Sequence, residues 1–438
     1  MTLFDLNAYQ QLVKATNPIQ TYGRIVDVVG LTIEATGPAM SIGDLCYVQS
    51  NNGQQQIPVE VVGFRGERAL LMPLGSLHGI GPGSLLIPTF RPNMVRVGPD
   101  LLGRVIDSMG HPIDGGPTPQ AAANVPLAAA PPRPLERRRI VEPISTGVRA
   151  VDACMTCGKG QRIGIMAGSG VGKSKLLGMM ARNTSADVSV IALIGERGKE
   201  VRDFIEGDLR DEGLSRSVLV VATSDEPALL RVKGAYVATA IAEWFRSQGA
   251  DVMLLMDSLT RFAMAQREIG LAVGEPPTTR GYPPSVYGLL PKLLERAGTS
   301  GSGSITGIYT VLVEADDLND PVGDAARSIL DGHISLSRDL ASRGHYPAID
   351  VLQSVSRCMI DVTSAEHQTL AQRIRQALAV YRDAEDLINI GAYVKGSNSE
   401  IDLALKLMPG IKAFLQQGLF DECEFERIAA LMHKALAA

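Results

Sequence analysis

Ala167-Gly168-Ser169-Gly170-Val171-Gly172-Lys173-Ser174 sets a run of small residues ahead of an ammonium and a hydroxyl. Small residues let backbone N–H groups close around phosphate oxygens, the lysine reaches the β- and γ-phosphates, and the hydroxyl ligates Mg²⁺. With Lys175 following, the stretch reads as the phosphate-binding loop for a nucleoside triphosphate. Ala167 stands where such loops usually carry glycine, and a methyl group is tolerated there if φ is negative. The short apolar run 163–166 predicts a strand before the loop. Leu176, Leu177, Met179 and Met180 predict a helix after it, whose N-terminal dipole favours phosphate. The alternative is a plain glycine turn between a core strand and a helix, but few such turns end in Gly-Lys-Ser.

Carboxylates and cations fall at the ends of further apolar runs. Residues 252–256 lead into Asp257, a carboxylate placed to hold Mg²⁺. An Asp at a strand end is commonly a helix cap, and the upstream glycine loop is what favours the metal. Residues 190–194 lead into Gly195-Glu196-Arg197. Glu196 could polarise an attacking water, and Arg197 could hold the γ-phosphate or orient Glu196, against the bland reading of a surface ion pair. Arg357 follows the strand-like 348–352 and is a candidate arginine finger, although an Arg after a strand is usually structural. Tyr346, just before that strand, could stack on adenine or belong to the core.

These residues need a scaffold. Short β-rich pieces separated by turn residues run from 22 to 97 and predict a small β-barrel. Seven prolines between 117 and 143 deny both helix and ladder donors and predict an extended linker wrapping the next domain. Strand and helix patterns alternate from about 144 to 355, and strands apolar on both faces predict a covered parallel sheet. From about 360 onward the pattern is helical, with breaks expected near Gly391, Gly396, Pro409 and Gly418. Leu3, Leu6, Tyr9, Leu12 and Val13 predict a short amphipathic helix that docks a partner or lies on its own domain. The expected division is a helix over 1–18, a barrel over 19–97, a connecting segment over 98–143, an α/β core over 144–358 and a helical domain over 359–438.

The bulk numbers exclude several classes. A chain of 438 residues with 45% hydrophobic and 20% charged side chains is ordinary globular composition for two or three domains. No apolar run approaches the ~20 residues of a membrane span. The first residues carry no basic, cleavable leader. A cytoplasmic protein is expected. The five cysteines are odd in number and scattered, and Cys154-Met155-Thr156-Cys157 lacks a second pair to close a zinc site, so buried thiols are expected. A net charge of −5 gives no overall footprint for nucleic acid.

Gly164–Ser174, Gly195-Glu196-Arg197, Asp257-Ser258-Leu259-Thr260-Arg261, Gly274-Glu275-Pro276-Pro277 and Gly281-Tyr282-Pro283-Pro284-Ser285 form an ordered set. Leu330-Asp331-Gly332-His333-Ile334, Tyr346-Pro347-Ala348-Ile349-Asp350 and Ser356-Arg357 complete it. Together they resemble the type III protein export ATPases, relatives of the catalytic subunit of rotary ATP synthases, over nearly the whole chain. The stretches 387–393 and 413–418 look more like the flagellar members than the virulence-secretion ones. The resemblance implies an N-terminal barrel, a RecA-like phosphate-loop core and a helical C-terminal domain. It implies a homohexameric ring binding ATP or ADP with Mg²⁺ at its interfaces. It also implies Ala167 in the loop, Glu196 as catalytic glutamate, Arg357 as arginine finger and Tyr346 as adenine-packing aromatic. The implied partners are a stator-like regulator on the N-terminal helix, a coiled-coil stalk in the pore, the membrane export gate and chaperone–cargo complexes. The implied place is peripheral, at the cytoplasmic face of the inner membrane.

Competing readings are a RecA/Rho-type nucleic-acid translocase, a non-catalytic ring subunit and an ATP synthase subunit. A translocase barrel should interleave exposed aromatics with Lys and Arg. Residues 20–95 hold only four aromatics, Tyr22, Tyr47, Phe64 and Phe90, and four arginines, Arg24, Arg65, Arg68 and Arg91. A non-catalytic subunit loses the water-polarising carboxylate, whereas Glu196 is present beside Lys173 and Asp257.

Overall fold

The computed structural model describes residues 10, 21–50, 53, 55–90, 93–313 and 320–437. The helix expected over 1–18 lies outside these but for Gln10. The chain divides into two compact units, Met1–Asn93 and Met94–Ala438.

In the first unit, β1 (Gly23–Val29), β2 (Thr32–Thr36), β3 (Leu45–Gln49), β4 (Gln56–Arg65), β5 (Arg68–Pro73) and β6 (Leu85–Pro88) close into a barrel of order β1-β2-β5-β4-β3-β6. Alternation explains it. Ile57, Val59 and Val61 of β4 are buried, and Val59 and Val61 pack with Ile25, Ile33, Val48, Leu71 and Leu86. Closure leaves no sheet edge exposed.

The second unit carries β7 (Met94–Val97), β8 (Arg104–Asp107), β9 (Ala123–Pro126), β10 (Pro143–Ile144), β11 (Cys157–Gly158), β12 (Arg162–Ala167) and β13 (Val188–Glu196). It continues with β14 (Ser217–Thr223), β15 (Asp251–Asp257), β16 (Gly298–Thr299), β17 (Ser304–Leu312), β18 (Gly332–Leu336) and β19 (Ile349–Ser356). Its main sheet runs β19-β18-β12-β17-β15-β13-β14-β8, with β16 beside β17. β13, β15 and β17 are buried almost end to end because helices such as Ala228–Ser247 and Leu259–Val273 cover the sheet.

Three expectations need correction. The sheet is parallel except at β16 and β19, which run antiparallel to their neighbours. The proline-rich stretch does enter a ladder, since β9 pairs with β7 and Pro126 sits opposite Met94 at the strand end, the position where a missing N–H costs least. The segment before it also contributes β8 to the edge of the main sheet, parallel to β14. Elsewhere the linker does wrap, with Arg137 donating to Ala297 O (2.8 Å) and Arg138 to Ser300 O (3.0 Å). Finally, Pro409 lies inside the helix Ser399–Leu415. A proline removes one helical hydrogen bond, and burial of Leu407, Met408 and Ile411 on the same helix outweighs that loss.

That helix, with Ala365–Asn389 and Ile428–Ala435, forms the C-terminal helical layer. Ser364 and Asn398 cap the first two through hydrogen bonds to His367 N and to Glu400 N and Ile401 N.

Candidate active site

β12 delivers the phosphate loop. Ala167 ends the strand in extended backbone, and its carbonyl accepts from Val313 N at 3.0 Å, so the position tolerates a methyl group. Gly170 (φ 79°) and Gly172 (φ 95°) then take left-handed conformations open to glycine. Gly172 caps the helix Lys173–Asn183 and, as a glycine, offers no side chain to accept from the first turn of that helix. Its leading N–H groups therefore face outward beside the dipole's positive end. Leu176, Leu177, Met179 and Met180 anchor the helix in the core.

Behind the loop, Lys173 Nζ lies 2.5 Å from Asp257 Oδ1 and 3.2 Å from Glu196 Oε1. The side chains of Lys173 and Asp257 are 12% and 3% exposed. Thr310 Oγ1, from β17, donates to the same Asp257 oxygen at 2.8 Å. Three strands thus converge on one ammonium. Burial pushes the Asp257 and Glu196 carboxyls up, opposed by the Lys173 charge. Glu196 is raised further by a hydrogen bond with Glu200. Burial alone would discharge Lys173, but the two carboxylates outweigh it and hold its pKa above the usual lysine value.

Glu196 owes its aim to a register shift between Ile194 and Glu196 in the β13–β14 ladder. Gly195 supplies the bend at φ 73°, and a β-carbon there would stand 2.9 Å from Arg261 Cβ.

The cluster borders a cleft of about 850 Å³. Gly168, Ser169, Gly170, Gly172, Lys173, Ser174, Lys175, Glu196 and Arg197 line it from the residues expected in sequence. Ala167 and Val171 are buried behind it, and Asp257 meets it through Lys173. Ser174 is exposed on the helix's first turn. Lys175 is paired with Asp208 at 2.6 Å. Arg197 is 80% exposed and reaches Glu200 at 3.5 Å, so it does not orient Glu196 in this arrangement. The Tyr346 ring stands 3.7 Å from where a Gly172 β-carbon would lie, at the loop's edge.

Arg357 is elsewhere. Because β19 runs antiparallel, its end lies at the start of the parallel strands. Arg357 N donates to Asp331 O (3.0 Å), and Asp331 N donates to Arg162 O (2.8 Å), which places Arg357 level with the first residue of β12. The phosphate loop follows the last residue of β12, about 17 Å along the strand at ~3.3 Å per residue.

The lining or supporting groups not assigned from sequence include Thr260, Arg261, Glu200 and Thr310. Arg261 offers a chemical signal, since its Nε is buried without a hydrogen-bond partner among the described residues while the residue lines the cleft. Such a donor suits an anionic ligand. Cys154 and Cys157 are free and buried, and burial pushes the Cys154 thiol up to about 12.

Comparison with known proteins gives the family. The nucleotide-binding domain of the ATP synthase alpha/beta family matches residues 147–356, and its beta-barrel domain matches 25–89. The T3SS EscN ATPase C-terminal domain matches 363–434. The flagellum-specific ATP synthase of Bacillus subtilis (strain 168) is 53% identical over 422 residues, 96% of either chain. The type 3 secretion system ATPase of Xanthomonas euvesicatoria is 52% identical over 411 residues, 94% of this chain and 93% of that one. A solved structure of assembled EscN from enteropathogenic E. coli, in complex with its central stalk EscO, superposes with a TM-score of 0.88. It shares 46% identity, covering 94% of this chain and 100% of that one.

Proposed function

The chain belongs to the ATP synthase alpha/beta family, in its branch of flagellar and type 3 secretion ATPases, and from that membership we propose how it hydrolyses ATP for flagellar protein export. The observation that carries the mechanism is the Lys173–Asp257–Glu196 cluster at the end of the phosphate loop. ATP enters the cleft with its triphosphate over the loop N–H groups, and Lys173 turns from the carboxylates to the β- and γ-phosphates. Arg261 lines the same cleft and carries a buried Nε with no hydrogen-bond partner among the described residues, a further cation for the same anion. A water attacks the γ-phosphorus, Glu196 accepts its proton, and the bond to the β–γ bridging oxygen breaks to release ADP. Burial raises the Glu196 pKa above the usual glutamate value and so makes it a stronger proton acceptor.

When bound, Mg²⁺ would supply positive charge that stabilises the charge developing on the phosphates. Ser174 Oγ and the Asp257 carboxylate are hard oxygen donors of the kind this ion takes, and they stand beside the loop. Tyr346 packs the adenine.

Arg357 completes the site of a neighbouring subunit in a homohexameric ring, a role supported by its distance from the phosphate loop of its own chain. The stalk-bound EscN assembly supports self-association and a central stalk as partners. A regulator on the N-terminal segment, the membrane export gate and chaperone–cargo complexes complete the proposed set, at the cytoplasmic face of the membrane. Among the described residues no helix is long and apolar enough to cross a membrane.

Affinity capture of the full chain from its native cell tests the pathway. Recovery of flagellar regulator and stalk proteins is expected. Recovery of virulence chaperones without them would move the protein to the virulence branch.

A further inference from the structure

One segment of the C-terminal layer is bonded both to Tyr346, at the edge of the phosphate loop, and to the far end of the phosphate-loop helix. After the helix Ser399–Leu415 the chain turns through residues 416–421. Gln417 is 6% exposed, and every polar group it carries to this junction is used. Its backbone N–H donates to the Tyr346 carbonyl at 3.0 Å. Its side-chain Nε2 donates to Gly147 O (2.8 Å) and to Asp421 O (3.0 Å), while Oε1 accepts from Arg149 N (2.8 Å). One glutamine therefore ties the start of the α/β core, the residue expected to pack the base, and the C-terminal turn.

The same turn grips the far end of the phosphate-loop helix. Arg182 donates to Leu419 O at 2.5 Å, and the Phe420 ring lies 3.5 Å from the Arg210 guanidinium and 4.9 Å from that of Arg182. The Tyr346 ring meanwhile stands against Gly172 at the near end. Among the described residues, the Gln417 bond is the backbone tether that joins Tyr346 to the C-terminal turn, so the ring's place depends on where that turn sits.

We propose that Gln417 is a positioning residue for the nucleotide base, holding Tyr346 against the phosphate loop and making base affinity follow the position of the C-terminal helices. This rests on the reading of Tyr346 as the base-packing ring. A buried amide with its partners satisfied is rigid, and removing it leaves the Gly147 carbonyl and the Arg149 N–H unpaired and Asp421 O with the longer bond from Asn183 Nδ2 (3.4 Å).

Steady-state hydrolysis by the full chain, wild type and Gln417→Met, tests it, with inhibition by Mg-pyrophosphate as a probe that has phosphates and no base. Methionine keeps the volume and loses the three side-chain hydrogen bonds that fix residue 417, while the backbone N–H that reaches Tyr346 O is retained but no longer held in place. KM for ATP should rise about tenfold with kcat changed less than threefold, the pattern of lost binding common to ground and transition states. The pyrophosphate inhibition constant should stay as in wild type. Gln417→Glu, which keeps the acceptor for Arg149 N, should fall between and serves if the methionine variant does not fold. Tyr346→Ala should raise KM by itself, and adding Gln417→Met to it should add nothing. An unchanged KM in a folded Gln417 variant overturns the proposal, as does an equal weakening of pyrophosphate, which would make Gln417 a general structural prop. An unchanged KM in Tyr346→Ala overturns the base-packing reading itself and the proposal with it.

Discussion

Lys173 and Asp257, 84 residues apart in the chain, are joined by a 2.5 Å ion pair inside the protein. The lysine expected to hold phosphate is thus held by the carboxylate expected to hold metal. Glu196 and Thr310 complete the ring of contacts. A triphosphate reaching the loop must replace one set of anionic partners for Lys173 with another, so the ammonium exchanges a buried ion pair for a phosphate contact.

Lys173→Met should abolish turnover, because no other cation of the loop reaches the cluster. It should also cost stability at neutral pH. Removing one partner of a buried pair leaves an uncompensated charge, at roughly 3–5 kcal/mol. Asp257 already has a raised pKa, and without the ammonium it rises further. A raised carboxyl pKa in the folded state stabilises below the unfolded pKa, and that contribution is lost as pH rises through the folded one. The stability deficit of the variant should therefore shrink on acidification. Urea unfolding of wild type and variant across the acid range measures this, and a deficit independent of pH would remove Asp257 from the explanation.

Glu196→Gln should retain ATP binding and lower kcat by ~10²-fold or more, the scale of a lost general base. In wild type, kcat should fall as pH drops through a pKa above the ordinary glutamate value, since burial raises it. The variant should lose that acid limb. Single-turnover hydrolysis with a fluorescent nucleotide separates binding from chemistry, and normal turnover by the variant would send the search for the base to another carboxylate.

The local parts of this site were legible in the sequence. Ala167–Ser174 declares itself by spacing, and Asp257 and Glu196 by the apolar runs before them, because a strand end and the loop after it are neighbours in the chain. Thr310, Arg261 and Gln417 carry no such mark. Their roles arise from pairing between β15 and β17, from the approach of the helix Leu259–Val273 to Gly195, and from the return of residue 417 to Tyr346. β8 was missed because four residues of Arg-Val-Ile-Asp show too little periodicity to separate an edge strand from a linker. The direction of β19 was equally hidden, since strand polarity follows from the connection rather than from composition. That direction decides which end of the sheet receives Tyr346 and which receives Arg357.

Asp152 offers a pH-dependent marker of the core. It is wholly buried, and burial pushes its pKa up to about 6 despite hydrogen bonds from Ser145 Oγ (3.0 Å), Thr146 N (2.9 Å), Thr146 Oγ1 (2.6 Å) and Gly147 N (3.1 Å). Between the unfolded pKa near 3.8 and the folded value near 6, the native state holds a proton that the unfolded state has released. Its contribution is full below that window and lost as pH rises across it, by up to about 3 kcal/mol at 1.36 kcal/mol per pKa unit. Asp152→Asn cannot titrate. The stability of Asp152→Asn relative to wild type should climb by that order as pH goes from about 4 to about 6. A flat difference in urea unfolding over this range would place the Asp152 pKa near its unfolded value.

Arg357 should act on the nucleotide of the neighbouring subunit. Within one chain it is exposed and level with Arg162 at the start of β12, while Lys173 follows the end of that strand. No rotamer bridges the length of the sheet. Lys173, Arg261 and Arg197 already face the cleft from inside the chain, so a further cation arriving across an interface would make the site complete only in the assembled ring. A finger supplied in trans contributes roughly 10³–10⁵ in turnover. Activity should then rise more than linearly with protein concentration. Arg357→Ala and Lys173→Ala chains, each inactive alone, should regain partial activity when mixed, because some interfaces pair an intact loop with an intact finger. Co-assembly is checked by mass photometry on the same mixture. Mixed rings without recovered activity, or an isolated monomer turning over at the full rate, would show that Arg357 does not serve its neighbour.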